Sequence, residues 1–219
     1  MGLKIAGCDL SMSGSGICTM ELDDELNCVS VDWLGFAHVK KNAVDDHVVY
    51  YQREWYRSRY ELTETMIDHI LSKVDGCEYA AVEDYAIAAC GRLTDIGEFV
   101  GQTCYAMWKK GIALKKYVPQ HAKICLAGKG NADKVGMYLS YESLTDAIKP
   151  DLRGYPVPKS KDGVSPTSDI IDAYALCELL RLELAIRKGL PVDYTERTKK
   201  IFGNGNVLKT DFIRRRVSS

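Results

Sequence analysis

The pattern of apolar and polar positions predicts strands in two groups, separated by helices. Strands are predicted over residues 3–9, 17–22, 29–39, 79–83 and 112–118. Apolar side chains recur at spacings of three, four and seven over 44–74, which is typical of an amphipathic helix, and further helices are predicted over 94–110, 132–143 and 167–188. A three-stranded meander followed by alternating strands and helices indicates an α/β fold, with a mixed five-stranded sheet flanked by helices.

The composition is that of a folded chain. Of the 219 residues, 46% are hydrophobic, which suffices for a packed core. The periodic pattern ends near residue 188, so we expect one domain over 1–188 and a polar, basic C-terminal tail over 189–219. No run approaches about 18 apolar residues, and the amino end lacks a basic segment followed by an apolar one. Neither a membrane span nor a secretory signal is therefore predicted.

The eight cysteines bear on the cellular compartment. They form no CxxC pair, and most of them lie in apolar runs. Free cysteine in such a run behaves as a small hydrophobic residue. We therefore expect reduced thiols and a cytoplasmic protein, rather than a disulfide framework or a zinc site.

Four acidic residues end or interrupt apolar segments. Asp9 ends the first predicted strand and Glu83 the fourth, while Asp169 and Asp172 lie three residues apart on one face of the last helix. Converging buried carboxylates repel one another and need a compensating cation. Oxygen ligands without matching His or Cys favour Mg²⁺ or Mn²⁺ over Zn²⁺. Two such ions can activate water and stabilise the leaving oxygen in phosphodiester cleavage.

Two of these acids also have simple structural interpretations. Asp9 would suit the turn that begins the Ser- and Gly-rich segment 11–16. Asp169 would stabilise a helix N-terminus without binding any ligand. Glu83 follows a buried strand and Asp172 lies deeper in the apolar pattern, so these interpretations fit them poorly. As a set, the four acids favour a metal site.

Several segments, taken in order, resemble the RuvC family of Holliday-junction resolvases within the RNase H-like fold, in particular its phage-type members. These segments are GCDLS at 7–11, YAAVED at 79–84, GEFVGQ at 97–102, PQHAK at 119–123, AGKGNADK at 127–134 and SDIIDAYAL at 168–176. The resemblance covers roughly residues 3–187. Its most specific parts are the ordered acids and the GKGNADK segment.

The resemblance implies a crossover junction endodeoxyribonuclease. Asp9, Glu83, Asp169 and Asp172 would be both its catalytic residues and the ligands of two Mg²⁺ or Mn²⁺ ions per subunit. The partners implied are branched DNA, above all a four-way junction, and a second copy of the chain. A homodimer's twofold axis would match the junction and place one site on each of two strands. The cytoplasm of a bacterium or of a virus-infected host cell is the expected location.

The chain departs from the family pattern beside two of the acids. Family members often carry Gln directly after the strand-four Glu and an aromatic residue shortly beyond, whereas this chain has Asp84 and then Tyr85. Tyr85 is a displaced counterpart of that aromatic residue and a candidate DNA contact. Leu10 and Ser11 stand where the family often has Pro and Gly. Selectivity between four-way junctions and other branched DNA therefore stays open.

The formal net charge of -1 conceals two basic stretches. Residues 109–134 contain seven lysines and one acid, and residues 181–219 contain ten Lys or Arg and four acids. Phosphate contacts supply most non-specific DNA affinity, so such stretches matter more than the total charge. We expect both to contact DNA, the alternative being solvated, solubilising surface.

Individual basic residues are candidate DNA contacts within these stretches. The resemblance places Lys123 and Lys134 near the scissile strand. Lys129 lies between two glycines, which would let the backbone approach a phosphate closely. In the tail, Arg214 and Arg215 begin an RRR run that would hold a DNA arm.

Two other functions compete with the nuclease. An actin-like or sugar-kinase-like ATP-binding protein also begins with a strand, an Asp and a Gly- and Ser-rich phosphate turn. That superfamily needs a second related domain, and no second copy is visible in 219 residues. A non-catalytic junction-binding protein is the other alternative, although four intact acids argue against it.

Overall fold

Six strands form one mixed sheet in the computed structural model, which describes residues 2–38, 45–84, 93–192, 195–203 and 205–215, without the side chains of 93–96. The strands are β1 (Leu3–Asp9), β2 (Gly16–Leu22), β3 (Cys28–His38), β4 (Val48–Tyr51), β5 (Tyr79–Glu83) and β6 (Ala113–Tyr117). Their order in the sheet is β4-β3-β2-β1-β5-β6. The strands β1, β2 and β3 pair antiparallel, whereas β5 pairs in parallel with both β1 and β6.

Helices lie on both faces of this sheet. They are α1 (Arg59–Lys73), α2 (Leu93–Lys109), α3 (Pro119–Ala127), α4 (Lys134–Glu142), α5 (Thr167–Arg187), α6 (Glu196–Phe202) and α7 (Asn206–Lys209). One apolar core joins the sheet to α3, α4, α5 and α6, and a second joins it to α1 and α2. The predicted α/β fold with a mixed sheet and flanking helices is confirmed.

The predicted strand count of five is wrong, because β4 lies inside the segment predicted to be helical from residue 44. Its sequence, VVYY, consists of β-branched and aromatic residues that fit a pleated surface. It pairs in parallel with β3, from Gly35 opposite Val48 to His38 opposite Tyr51. The helix begins only at Arg59, after Ser58 accepts a hydrogen bond from the backbone N–H of Glu61 at 3.2 Å. Residues 48–51 therefore form an edge strand paired with β3, although their apolar spacing also fits a helix.

The C-terminal segment packs against the rest of the chain. Ile201, Phe202 and Val207 are buried in the core that contains α5. Ile213 forms a two-hydrogen-bond bridge with Leu114 of β6, at 2.8 and 3.0 Å. The segment that the sequence assigns to a tail therefore packs into the core and, through Ile213, extends the edge of the sheet beside β6. Among the described helices, none combines the length and apolarity needed to cross a bilayer.

Candidate active site

Two of the four predicted acids lie side by side at the carboxyl ends of neighbouring strands of the sheet. Asp9 is the last residue of β1, and Glu83 is the last residue of β5. These strands are parallel neighbours, with Cys8 opposite Val82. Because neighbouring parallel strands end on the same side of the sheet, this register brings the two carboxylates together.

The other two acids approach these strand ends from α5, which lies unusually close to the sheet. Gly7 of β1 and Gly16 of β2 permit the approach. A Cβ at Gly7 would collide with the carbonyl oxygen of Ala173, and one at Gly16 with that of Asp169. With no side chain between them, the first turns of α5 rest directly on the strands. Asp169 and the buried Asp172 therefore face the ends of β1 and β5.

The electrostatics reflect four acids in one place. Burial, and then Glu83, Asp172 and Asp169, raise the pKa of Asp9 well above its usual value. Burial, followed by Asp172, raises the pKa of Glu83 to about 7. Burial also raises the pKa of Asp169, against the lowering effect of a hydrogen bond from Ser165. Each carboxylate thus opposes ionisation of its neighbours, as expected for converging acids.

Lys134 contributes a positive charge within this group. It is the first residue of α4, which Asp133 caps by accepting a hydrogen bond from Gly136 N at 2.8 Å. Its Nζ donates to Oδ2 of Asp172. Burial alone would lower the pKa of Lys134, but the carboxylates of Asp172, Asp9 and Asp169 raise it overall. The structure thus places Lys134 against the acids, while its predicted contact with the scissile DNA strand stays a prediction.

The donor set suits a hard divalent cation. All four acids supply oxygen, and the raised pKa values of Asp9, Glu83 and Asp169 indicate a demand for positive charge that one lysine meets only in part. Within the described residues, however, no three carboxylate, imidazole or thiol groups already stand in coordinating positions. The oxygen ligands of the four acids suit a divalent cation. In this structure, the ammonium of Lys134 supplies the compensating positive charge.

Comparison of the fold with solved structures gives a clear match. The Thermus thermophilus RuvC structure aligns over 86% of this chain and 98% of its own, with a TM-score of 0.53 and 18% identity. T. thermophilus RuvC in complex with Holliday junction substrate aligns over 84% and 96%, with a TM-score of 0.57 and 16% identity. The chain has a RuvC-like fold. No family model and no curated protein sequence matches it.

The RuvC-like fold bears out the resemblance inferred from the short segments at the level of the fold. At 16–18% identity the match establishes the fold alone. The phage-type assignment therefore stays a prediction, as do the cytoplasmic location and the homodimer.

The two other predicted DNA-contacting lysines of this stretch lie on α3 and in the turn that follows it. Lys123, half-buried on α3, lowers the pKa of Glu83 and is therefore near its carboxylate. Lys129 is exposed in the turn between α3 and α4. The preceding Gly128 ends α3 in the left-handed conformation, with φ of +73°. Tyr85, the displaced aromatic candidate, lies outside the described residues.

The seven lysines between 109 and 134 do not form one basic surface, contrary to expectation. Lys115 is buried against Glu183, Lys110 pairs with Asp75 at 3.1 Å, and Lys116 lies 3.8 Å from Asp84. The positive charge counted along residues 109–134 is therefore not concentrated on one surface of the protein. Of the seven, Lys123 and Lys134 interact electrostatically with the acids of the site.

The two tail arginines lie at the opposite end of the strands. Nη2 of Arg214 donates to the hydroxyl of Tyr79 at 2.9 Å, and Tyr79 is the first residue of the strand that ends in Glu83. Nη1 of Arg215 donates to the carbonyl of Lys109 at 2.9 Å. The structure therefore does not bring these arginines to the carboxylates. DNA contact by either one stays a prediction.

Sequence reasoning did not identify Ser165 as part of the site. Its hydroxyl donates to Oδ2 of Asp169. The only local signal was a serine four residues before an acid at a helix start, which is a common arrangement with many other uses.

Proposed function

We propose that the chain is a metal-dependent, structure-selective endonuclease that resolves four-way DNA junctions, or cuts other branched DNA, by phosphodiester hydrolysis. The observation that carries this proposal is the convergence of Asp9, Glu83, Asp169 and Asp172 from β1, β5 and α5 within a RuvC-like fold. One of the similar structures is described as RuvC bound to Holliday junction substrate. The chemistry and the fold point to the same class of reaction.

In the proposed mechanism, Asp9, Glu83, Asp169 and Asp172 would hold two Mg²⁺ or Mn²⁺ ions. Such ions neutralise charge on the phosphate and promote ionisation of the attacking water. With a pKa of about 7, Glu83 retains its proton in a large fraction of metal-free molecules at neutral pH. Mg²⁺ or Mn²⁺ would bind only the ionised carboxylate, so Glu83 would have to release this proton for the ion to bind. Lys134 balances Asp172 until then and adds positive charge near the reacting phosphate.

DNA binding is proposed to centre on the side of the sheet that carries the acids. Lys123 lies near Glu83, and Lys129 projects from the adjoining turn. Both are suited to contact backbone phosphates, which position the nucleic acid without reading its sequence. A homodimer would present two such sites to the two strands of a junction.

The decisive experiment compares cleavage of labelled four-way, flap and linear DNA of the same sequence in Mg²⁺, Mn²⁺ or chelator. We expect cleavage of branched substrates only when a divalent ion is present. If all three substrates stay intact in Mn²⁺ while ATP is hydrolysed, the protein is an ATPase and the proposal is wrong. Tight junction binding without cleavage in either ion would instead indicate a non-catalytic junction-binding protein.

A further inference from the structure

The segment just before α5 contains a serine whose hydroxyl is directed to a carboxylate. A serine at a helix start usually accepts a hydrogen bond from a backbone N–H of the first turn. Here the N-cap position belongs to Pro166, and no side chain caps α5. The hydroxyl of the preceding residue, Ser165, donates to Oδ2 of Asp169. Helix capping therefore does not account for this contact.

The turn between β1 and β2 closes over the same pair. A Cβ at Gly14 would lie 2.5 Å from Oγ of Ser165 and 2.7 Å from Oδ2 of Asp169, so a side chain at this position would displace the hydroxyl or the carboxylate. The backbone of the turn thus lies against both the hydroxyl and the carboxylate. This contact restricts the positions that either group can take.

That turn is itself firmly held. Oγ of Ser15 donates to the carbonyl of Ser11 at 2.7 Å, and the hydroxyl of Tyr51 donates to the carbonyl of Met12 at 2.7 Å. The backbone N–H of Phe36 donates to the carbonyl of Ser15 at 2.9 Å. Strands β3 and β4 therefore anchor the turn that confines Ser165 and Asp169.

We propose that Ser165 is a positioning residue, which fixes one oxygen of the Asp169 carboxylate so that the other is presented to a divalent cation in a set direction. This inference rests on the proposed metal-dependent function. Asp172, one turn along α5, is held instead by Lys134. The two carboxylates of α5 thus have different partners, one neutral and one charged. Outer-shell hydrogen bonds of this kind typically contribute about 10- to 100-fold to metal affinity.

The test measures Mn²⁺ affinity of the full chain by isothermal titration calorimetry after chelator treatment. Ser165→Ala removes the hydroxyl, and Ser165→Thr keeps it. Ser143→Ala is the matched control, because Ser143 is exposed at the end of α4 and its hydroxyl donates to the carbonyl of Ser140. Thermal unfolding in chelator verifies that every variant is folded.

We expect Ser165→Ala to bind Mn²⁺ about 10- to 100-fold more weakly, and Ser165→Thr and Ser143→Ala to bind as the unmodified protein does. Equal affinity of Ser165→Ala and the unmodified protein would overturn the inference while leaving the proposed function intact. Equal losses in Ser165→Ala and Ser165→Thr would also overturn it, since packing rather than the hydroxyl would be responsible. Absence of Mn²⁺ binding by the unmodified protein would overturn the metal dependence itself.

Discussion

The Nζ atom of Lys115 lies 2.5 Å from Oε1 of Glu183, and both side chains are almost completely buried. Lys115 belongs to β6 and Glu183 to α5, so this ion pair joins the sheet to its longest covering helix. The same Nζ donates to the carbonyls of Val207 and Thr210, at 2.8 and 2.7 Å. One ammonium group thereby connects the sheet, α5 and the C-terminal segment.

The carboxylate of Glu183 accepts hydrogen bonds from several other donors. Nε of Arg187 donates to Oε1 at 2.7 Å, and the hydroxyl of Tyr117 donates to Oε2 at 2.8 Å. Nη2 of Arg187 also donates to the carbonyl of Thr210 at 2.8 Å. A buried carboxylate with this many donors is stable as long as the donors remain.

Removing the buried ammonium should destabilise the protein strongly. In Lys115→Met, Glu183 keeps its charge in the interior and the carbonyls of Val207 and Thr210 lose a donor. We expect a loss of about 3 to 5 kcal/mol in the free energy of unfolding, measured by urea titration. Lys110→Met is the control, because it removes an exposed pair with Asp75, for which we expect a loss of at most about 1 kcal/mol. Equal effects of the two substitutions would contradict the structural role assigned to Lys115.

Asp172→Asn should separate cleavage from binding. The amide removes a charged ligand from the proposed metal site but preserves the size of the side chain. We expect the rate of junction cleavage in Mg²⁺ to fall at least about 100-fold, since even outer-shell partners of a metal contribute about 10- to 100-fold. Junction affinity in Ca²⁺, measured by fluorescence anisotropy, should change little.

The matched control for this substitution is Asp146→Asn, at an exposed position after α4. It should cleave as the unmodified protein does. If Asp172→Asn lost junction binding while remaining folded, Asp172 would have a role in DNA contact rather than in metal binding.

Lys134→Met should make the metal-free protein less stable and the metal-bound protein nearly normal. Without this ammonium, Oδ2 of Asp172 loses its cationic partner while the carboxylate of Asp9 stays close to it. We expect a loss of about 1 to 3 kcal/mol in chelator, because the pair is largely buried. Adding Mg²⁺ should recover most of this loss in thermal unfolding. A variant that is equally destabilised with and without Mg²⁺ would show that Lys134 acts through packing alone.

The stability of the metal-free protein should fall as the pH rises from 5 to 8. The folded state raises the pKa of Glu83 from 4.5 to about 7, so it retains a proton that the unfolded chain releases. Stability from this group is therefore present below the unfolded value and lost as the pH rises through the folded one. The shift corresponds to about 3 kcal/mol, and the raised pKa values of Asp9 and Asp169 act in the same direction.

Urea unfolding in chelator across this pH range provides the measurement. Glu83→Gln is the internal comparison, because it cannot ionise and should show a shallower decline. A decline as steep in Glu83→Gln as in the unmodified protein would exclude Glu83 as its source.

Replacing Lys123 and Lys129 together by Gln should weaken DNA binding at all sequences alike. Each lost phosphate contact should reduce the slope of log affinity against log salt by about 0.9, or about 2 for the pair. Fluorescence anisotropy with a four-way junction at several salt concentrations measures this slope. Lys4→Gln serves as the control, because Lys4 lies near the start of β1 and outside both basic stretches. An unchanged slope in the double variant would place the DNA elsewhere on the surface.

Much of the site was predictable because its signals are local. Asp9 and Glu83 each end a short apolar run, so strand prediction alone places them at strand ends. Asp169 and Asp172 share a helical face by their spacing of three residues. The strand β4 was missed because its four residues also fit the apolar spacing of the helix that follows. A short edge strand can be recognised only by its partner, and β3 is that partner.

Hydrophobic periodicity and acids within apolar runs are properties of neighbouring residues, so they were enough to predict the α/β class and to single out the four acids. Only the tertiary structure determines which charged side chains lie near the four acids. Lys115 and Glu183 are 68 residues apart, and their pairing removes a lysine from the supposed DNA surface. Arg214 lies beside Tyr79, 135 positions away. Such partnerships depend on how the sheet and helices pack, because only packing determines which distant charges share a buried environment.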